Sequence, residues 1–196
     1  MTRIFPSLAA VSLGLFLASI VLGLSIGDLY NQPDQDVLHT RGIHMLTGVS
    51  AAIAVVFVLS IAITYFVGTS RWCKEVTETY LLDAAPLVQS TKLKRKTFPL
   101  CVVGMLTVVV VGALGAASDP GTGRPDTASM TNIHLAGAFL GLTLVCFIYY
   151  RVWLNIAENQ LAIQKIVAAV RDIRVEKGLD VEPESAEKTT DVVSTP

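Results

Sequence analysis

Charge is scarce in this 196-residue chain, and it is missing in blocks. Asp, Glu, Lys and Arg make up 16% of the sequence, against about 25% in soluble domains. None lies between Arg3 and Asp28, between Arg41 and Arg71, or between Lys96 and Asp119. Only Asp126 interrupts the stretch from Arg124 to Arg151. Cysteine is nearly absent too: Cys73, Cys101 and Cys146 are the three. None falls in the loops around 28–41 and 118–131, so those loops hold no disulfide, and all three read as small buried apolar residues. No C-x-x-C-H is present to attach a haem covalently. Phosphate-binding glycine loops, a Ser-His-Asp set and metalloprotease motifs are missing as well. No Asp, Glu or Lys lies deep inside a charge-free block, which argues against an ion pump or proton channel.

What fills the blocks is apolar. Hydrophobic residues make up 52% of the chain and its mean hydropathy is +0.57. Each block holds the roughly 20 apolar residues needed to cross a hydrocarbon core about 30 Å thick. The expected architecture is all-α, an integral membrane four-helix bundle with spans at about 4–26, 43–67, 98–117 and 132–152. The first block is longer than the roughly 7–15 apolar residues of a signal-peptide core and lacks a clean cleavage site, so it reads as a retained span. The bundle occupies 1–155. An amphipathic helix is expected at 156–178, with Leu161, Ile163, Ile166, Val167, Val170 and Ile173 on its apolar side. A disordered tail is expected at 179–196, rich in Glu, Thr, Ser and Pro.

The remaining charge is sorted by loop. Residues 68–97 carry Arg71, Lys74, Lys92, Lys94, Arg95 and Lys96, whereas 28–41 and 118–131 carry Asp28, Asp34, Asp36, Asp119 and Asp126. The positive-inside rule then makes the basic loop and both termini cytoplasmic, as in a bacterial inner membrane. The TKLKRK run reads as a topology determinant and anionic-lipid contact, with no nucleic-acid site implied.

Two halves of the chain look alike. Phe5-Pro6 opens the first span and Phe98-Pro99 the third; a polar loop follows each, and then an Ile-His pair, Ile43-His44 and Ile133-His134. Parallel repeats of this kind share one orientation, which puts His44 and His134 at one membrane depth on equivalent helices. Thr40 would cap the second helix, and Thr131 or Asn132 the fourth, leaving each histidine in or just after a first turn. The positive helix end and partial burial both disfavour imidazolium there, and a neutral ring is the state a metal needs.

Small residues follow both rings. Gly48 and Ala52 succeed His44; Gly137, Ala138 and Gly141 succeed His134. They would leave room for a flat macrocycle, and they equally suit close helix packing without any cofactor. A lone histidine at a helix mouth is often only an interfacial hydrogen-bonding residue, but ionisable groups at membrane depth are functional by default. Two matched rings suit a six-coordinate haem iron. A bare zinc or copper ion would want further protein ligands, for which His39 is the one nearby candidate.

The stretches TNIHLAGAFLGL and GIHMLTGVSAAIAVV resemble the fourth and second helices of one four-helix half of the haem A synthase family. The resemblance covers about residues 4–152. It implies a single haem b with His44 and His134 as axial ligands of the iron, lined by Gly48, Gly137 and Ala138. Arg41 would face a haem propionate, since a guanidinium suits a carboxylate; Arg124 is a second candidate. The family's Glu-x-x-His-Arg reads Arg41 and Met45 at the corresponding positions here, and its outer-loop cysteine pair is missing, so no catalytic residue is assigned. Three functions follow: electron transfer or haem handling linked to a respiratory oxidase or its assembly, a divergent haem-modifying oxidase, or a cofactor-free assembly subunit. The expected partners are the lipid membrane, a redox or oxidase-assembly protein and further copies of the chain, with no nucleic acid.

Overall fold

The computed structural model describes residues 1–31 and 33–179. Four helices make up nearly all of it: α1 (Ile4–Leu24), α2 (Gln35–Tyr80), α3 (Ala85–Ser118) and α4 (Thr127–Glu176). One 3-10 turn, Pro120–Thr122, lies between α3 and α4, and there is no strand among the described residues. Each helix is long and apolar enough to cross a membrane. At 1.5 Å per residue α1 is about 31 Å long, one hydrocarbon thickness, whereas α2 and α4 reach about 70–75 Å. The excess lies at the end carrying the basic residues. Beyond the start of α1 the bundle continues there as α2, α3 and α4 alone.

Successive helices pack side by side, α4 also meets α1, and α2 meets α4 across the bundle. One buried row of α4 runs Ala138, Gly141, Val145, Ile148, Val152, Asn155, Asn159, Ala162 and Ile166, with Tyr149 and Ile156 buried beside it. The row's spacing alternates three and four, the seam of a left-handed coiled coil. A similar seam on α1 takes Phe5, Ala9, Ser12, Phe16 and Ser19 inward. Outward-facing positions are as apolar as the core, as Val11, Leu46, Ile53 and Leu140 illustrate. Small and weakly polar residues therefore mark the inside, because without water only close packing and hydrogen bonds draw helices together. Ser12 meets the Tyr149 hydroxyl at 2.7 Å. Asn155 Nδ2 donates to Thr97 Oγ1 at 2.9 Å, and Asn159 Nδ2 to Thr69 Oγ1 at 3.0 Å and the Tyr65 hydroxyl at 3.2 Å.

Several helix ends differ from the sequence expectation. Asp34 caps α2 by accepting from the Val37 N–H at 2.9 Å, and α4 starts at Thr127. Thr40 and Thr131 are therefore interior residues, and Asn132 is too. Thr40 bonds back to the Asp36 carbonyl at 2.9 Å, as a hydroxyl inside a helix does. Phe98-Pro99 does not begin a helix either: α3 starts at Ala85 and runs through Pro99. The proline removes one backbone bond, which the flanking helices tolerate. The segment 156–178 is not set apart, since α4 continues through Glu176 and buries Ile156, Asn159, Ala162 and Ile166 against the other two helices. The expected apolar side is split: Ile166 is buried in the bundle, whereas Leu161 and Val167 are exposed. The expected tail lies almost wholly outside the described residues. At the hairpin tip between α2 and α3, Leu81 takes a left-handed conformation (φ 53°) and is 90% exposed.

Candidate functional site

His44 and His134 project from α2 and α4, the diagonal pair, at the end of the bundle away from the basic residues. Their ring centroids lie 6.2 Å apart and the rings cross at 73°. Both residues are half-buried. Each is deeper in its helix than the sequence suggested, because α2 and α4 begin earlier. The macrodipole fades within the first turn, so helix ends do not set the charge state of either ring.

Glycines on the neighbouring helices make room for the rings. A Cβ at Gly23, on α1, would come within 3.0 Å of His44 Cε1; one at Gly115, on α3, within 3.1 Å of His134 Cε1. In the sequence Gly23 passes unnoticed, and Gly115 reads only as a helix-packing glycine. The available signal was a matched Leu-Gly pair, Leu22-Gly23 and Leu114-Gly115, near the end of the helix before each histidine. Gly48 and Gly137 serve another purpose. The space beside Gly48 is taken by Ser19 Oγ and that beside Gly137 by a Leu114 methyl, so both bring paired helices together. Ala138 is buried in the seam.

The hydrogen bonds define one ring. His44 Nδ1 lies 2.9 Å from the Ser19 carbonyl. A carbonyl can only accept, so Nδ1 carries the proton and Nε2 keeps its lone pair. Ligating histidines are commonly oriented this way, with the far nitrogen held by a backbone carbonyl. The Val111 carbonyl lies towards the His134 ring, but His134 Nδ1 is buried without a well-formed hydrogen bond. Ser19 and Val111 stand one helical turn before Gly23 and Gly115, so the two rings have similar surroundings.

A polar clasp covers this end. Arg41, almost one turn before His44, places Nη2 2.7 Å from the Asp119 carboxylate at the end of α3. The Gly121 N–H donates to the same carboxylate at 2.9 Å. A side chain at Gly121 would press on the Arg41 guanidinium, so the loop passes close against the ion pair there. Burial by itself raises the Asp119 pKa, but the hydrogen bonds from Arg41 and Gly121, with the Arg41 charge, hold it below the ordinary carboxylate value. Arg41 Nε is buried with no partner. Tyr30 adds a second tie: its hydroxyl donates to the Ser118 carbonyl at 3.0 Å and lies 3.0 Å from Thr131 Oγ1. His39 and Arg124 are exposed and join neither group.

The donor set suits one kind of metal centre better than another. Among the described residues no three His, Cys, Asp or Glu side chains gather as a metal site. Two imidazoles alone are too few for a structural zinc ion, but they complete a centre that brings its own four nitrogens. Cys73 and Cys101 are buried, Cys146 is exposed on the outside of α4, and all three are free. No family model, curated protein or solved structure matches the chain.

Proposed function

We propose that this chain is a membrane protein that holds one haem b between His44 and His134 and serves electron transfer or haem handling. The observation that carries the reading is the separation of the rings. An imidazole nitrogen binds a first-row metal at about 2.0–2.1 Å and sits roughly 1.1 Å from its own centroid, so two rings on opposite sides of one ion have centroids roughly 6.3 Å apart. The two rings stand at 6.2 Å. The Ser19 carbonyl supports the reading by fixing the His44 tautomer with Nε2 free to ligate. Gly23 and Gly115 support it by backing each ring with a helix surface that has no side chain.

A haem held by His44 and His134 would supply one-electron transfer. The protein's part would be to orient the two imidazoles, with the Arg41–Asp119 clasp tying α2 to the end of α3 beside them. The similar surroundings of the two rings also favour a duplicated two-helix origin. The resemblance to haem A synthases enters at this level, as a proposal. Electron transfer or handling is preferred to haem modification because the position of the family's acid holds Arg41, whose charge is already matched by Asp119. With the basic end cytoplasmic, the haem lies towards the outer surface, and the redox partner docks there.

Purification from cells supplied with ample haem provides the test. The expected result is one haem per chain, with a Soret band and an α-band that sharpens on dithionite reduction. A colourless protein that takes up no haem on titration overturns the proposal.

A further inference from the structure

A second site lies at the opposite end, in a groove of about 740 Å³ between α2 and α3. Val67 closes it on the apolar side, and Arg71, Lys74, Lys92, Lys94 and Arg95 surround it. The charge-free run of α2 ends at Arg71, and that of α3 begins after Lys96. In a membrane the Val67 end of the groove therefore meets the acyl chains, and the rest lies on the water side of that boundary. Trp72, partly exposed beside Arg71, is a residue type that settles at this depth.

The cations are unequal. Arg71 is engaged by Glu75 at 2.8 Å, and Lys74 approaches Glu78 at 3.8 Å. Among the described residues no carboxylate pairs with Lys92, Lys94 or Arg95. Three unmatched positive charges within one turn of α3, beside an apolar wall at headgroup depth, call for an anionic amphiphile. We infer that the α2–α3 groove is a binding site for an anionic phospholipid with two phosphate charges, its headgroup held by Lys92, Lys94 and Arg95 and its acyl chains running along Val67 into the bilayer. Basic pockets between membrane helices recognise such headgroups by charge and shape together. Arg71 and Lys74, already partly neutralised, form the rim. The inference needs the four helices to cross a membrane but is independent of haem.

The test uses the full chain in neutral detergent, with cardiolipin as probe and phosphatidylcholine as the uncharged comparison, read by native mass spectrometry. The wild type is expected to retain one cardiolipin per chain and no phosphatidylcholine. Replacing Lys92, Lys94 and Arg95 together by Gln should weaken cardiolipin retention on the order of a hundredfold, each surface cation contributing about a fivefold factor. A second variant keeps the groove but removes the same charge elsewhere: Lys96→Gln, Lys165→Gln and Lys177→Gln. It should bind as the wild type does, and circular dichroism should show both variants helical. Equal losses in the two variants overturn the inference, because diffuse charge would then suffice. Competition by inorganic phosphate overturns it as well, since the site would then hold a free ion. So does retention of phosphatidylcholine to the same extent.

Discussion

Gly115→Ala isolates the contact that holds His134 in place. The new methyl would lie 3.1 Å from His134 Cε1, 3.5 Å from Nδ1 and 3.5 Å from Nε2. Only the first is tighter than an ordinary van der Waals contact, so the ring must move by a few tenths of an ångström. Two effects oppose each other. Alanine favours a helix over glycine by roughly 0.8–1.0 kcal/mol, while overpacking costs about 1–3 kcal/mol. The net change is a loss of about 0–2 kcal/mol. Gly112→Ala supplies the reference: it lies on the same helix and a Cβ there meets nothing within 4 Å, so it keeps the gain alone. Thermal unfolding of both variants in detergent, alongside haem content, measures the difference. Gly112→Ala should match or exceed the wild type, and Gly115→Ala should fall below Gly112→Ala by about 1–3 kcal/mol with a displaced haem spectrum. Identical behaviour of the two variants would refute the packing of His134 on α3.

Asp119 gives a pH dependence. Its folded pKa lies below its ordinary value, so the clasp adds stability above that ordinary value and loses it as pH falls through the lowered one; Asp119→Asn should flatten unfolding curves recorded across the acid range. The same variant should cost about 1–3 kcal/mol at neutral pH, because Arg41 loses a charged hydrogen-bond partner. Asn155→Ala should cost about 0.6–1.7 kcal/mol through the lost bond to Thr97, read by thermal unfolding in detergent, and stability equal to the wild type would mean that the Asn155–Thr97 bond contributes nothing. Leu81→Gly should stabilise the α2–α3 tip by up to about 1 kcal/mol, since a left-handed leucine is strained and its side chain has no contacts to lose; a lower unfolding temperature would contradict that.

The four spans were legible because hydrocarbon thickness and segregated charge act directly on composition. Which side of each helix faces inward was not, since Val11 and Leu140 on the outside are as apolar as Phe16 and Val145 within. Ser12, Asn155, Gly141 and Ala138 carried that information instead. Helix ends were misread for a related reason. A membrane boundary stops an apolar run, but it does not stop a helix, so α2, α3 and α4 continue where the greasy sequence ends. The meeting of His44 and His134 followed from the matched Ile-His pairs. The glycines that accommodate the rings did not, because they sit on α1 and α3, away from the histidines in sequence, and the matched Leu-Gly pairs say nothing of what packs on them. Arg41 shows the same limit: its ion pair is with Asp119, and no local pattern joins the two.

Electron paramagnetic resonance of the oxidised protein tests the central claim most directly. Two imidazoles on one iron give a low-spin ferric signal, and rings crossed at 73° should make it strongly anisotropic, unlike the rhombic signal of parallel ligand planes. His44→Ala and His134→Ala should each abolish it, while Arg41→Gln should keep it. A high-spin wild-type signal, or a low-spin signal that survives the loss of either histidine, would contradict the account.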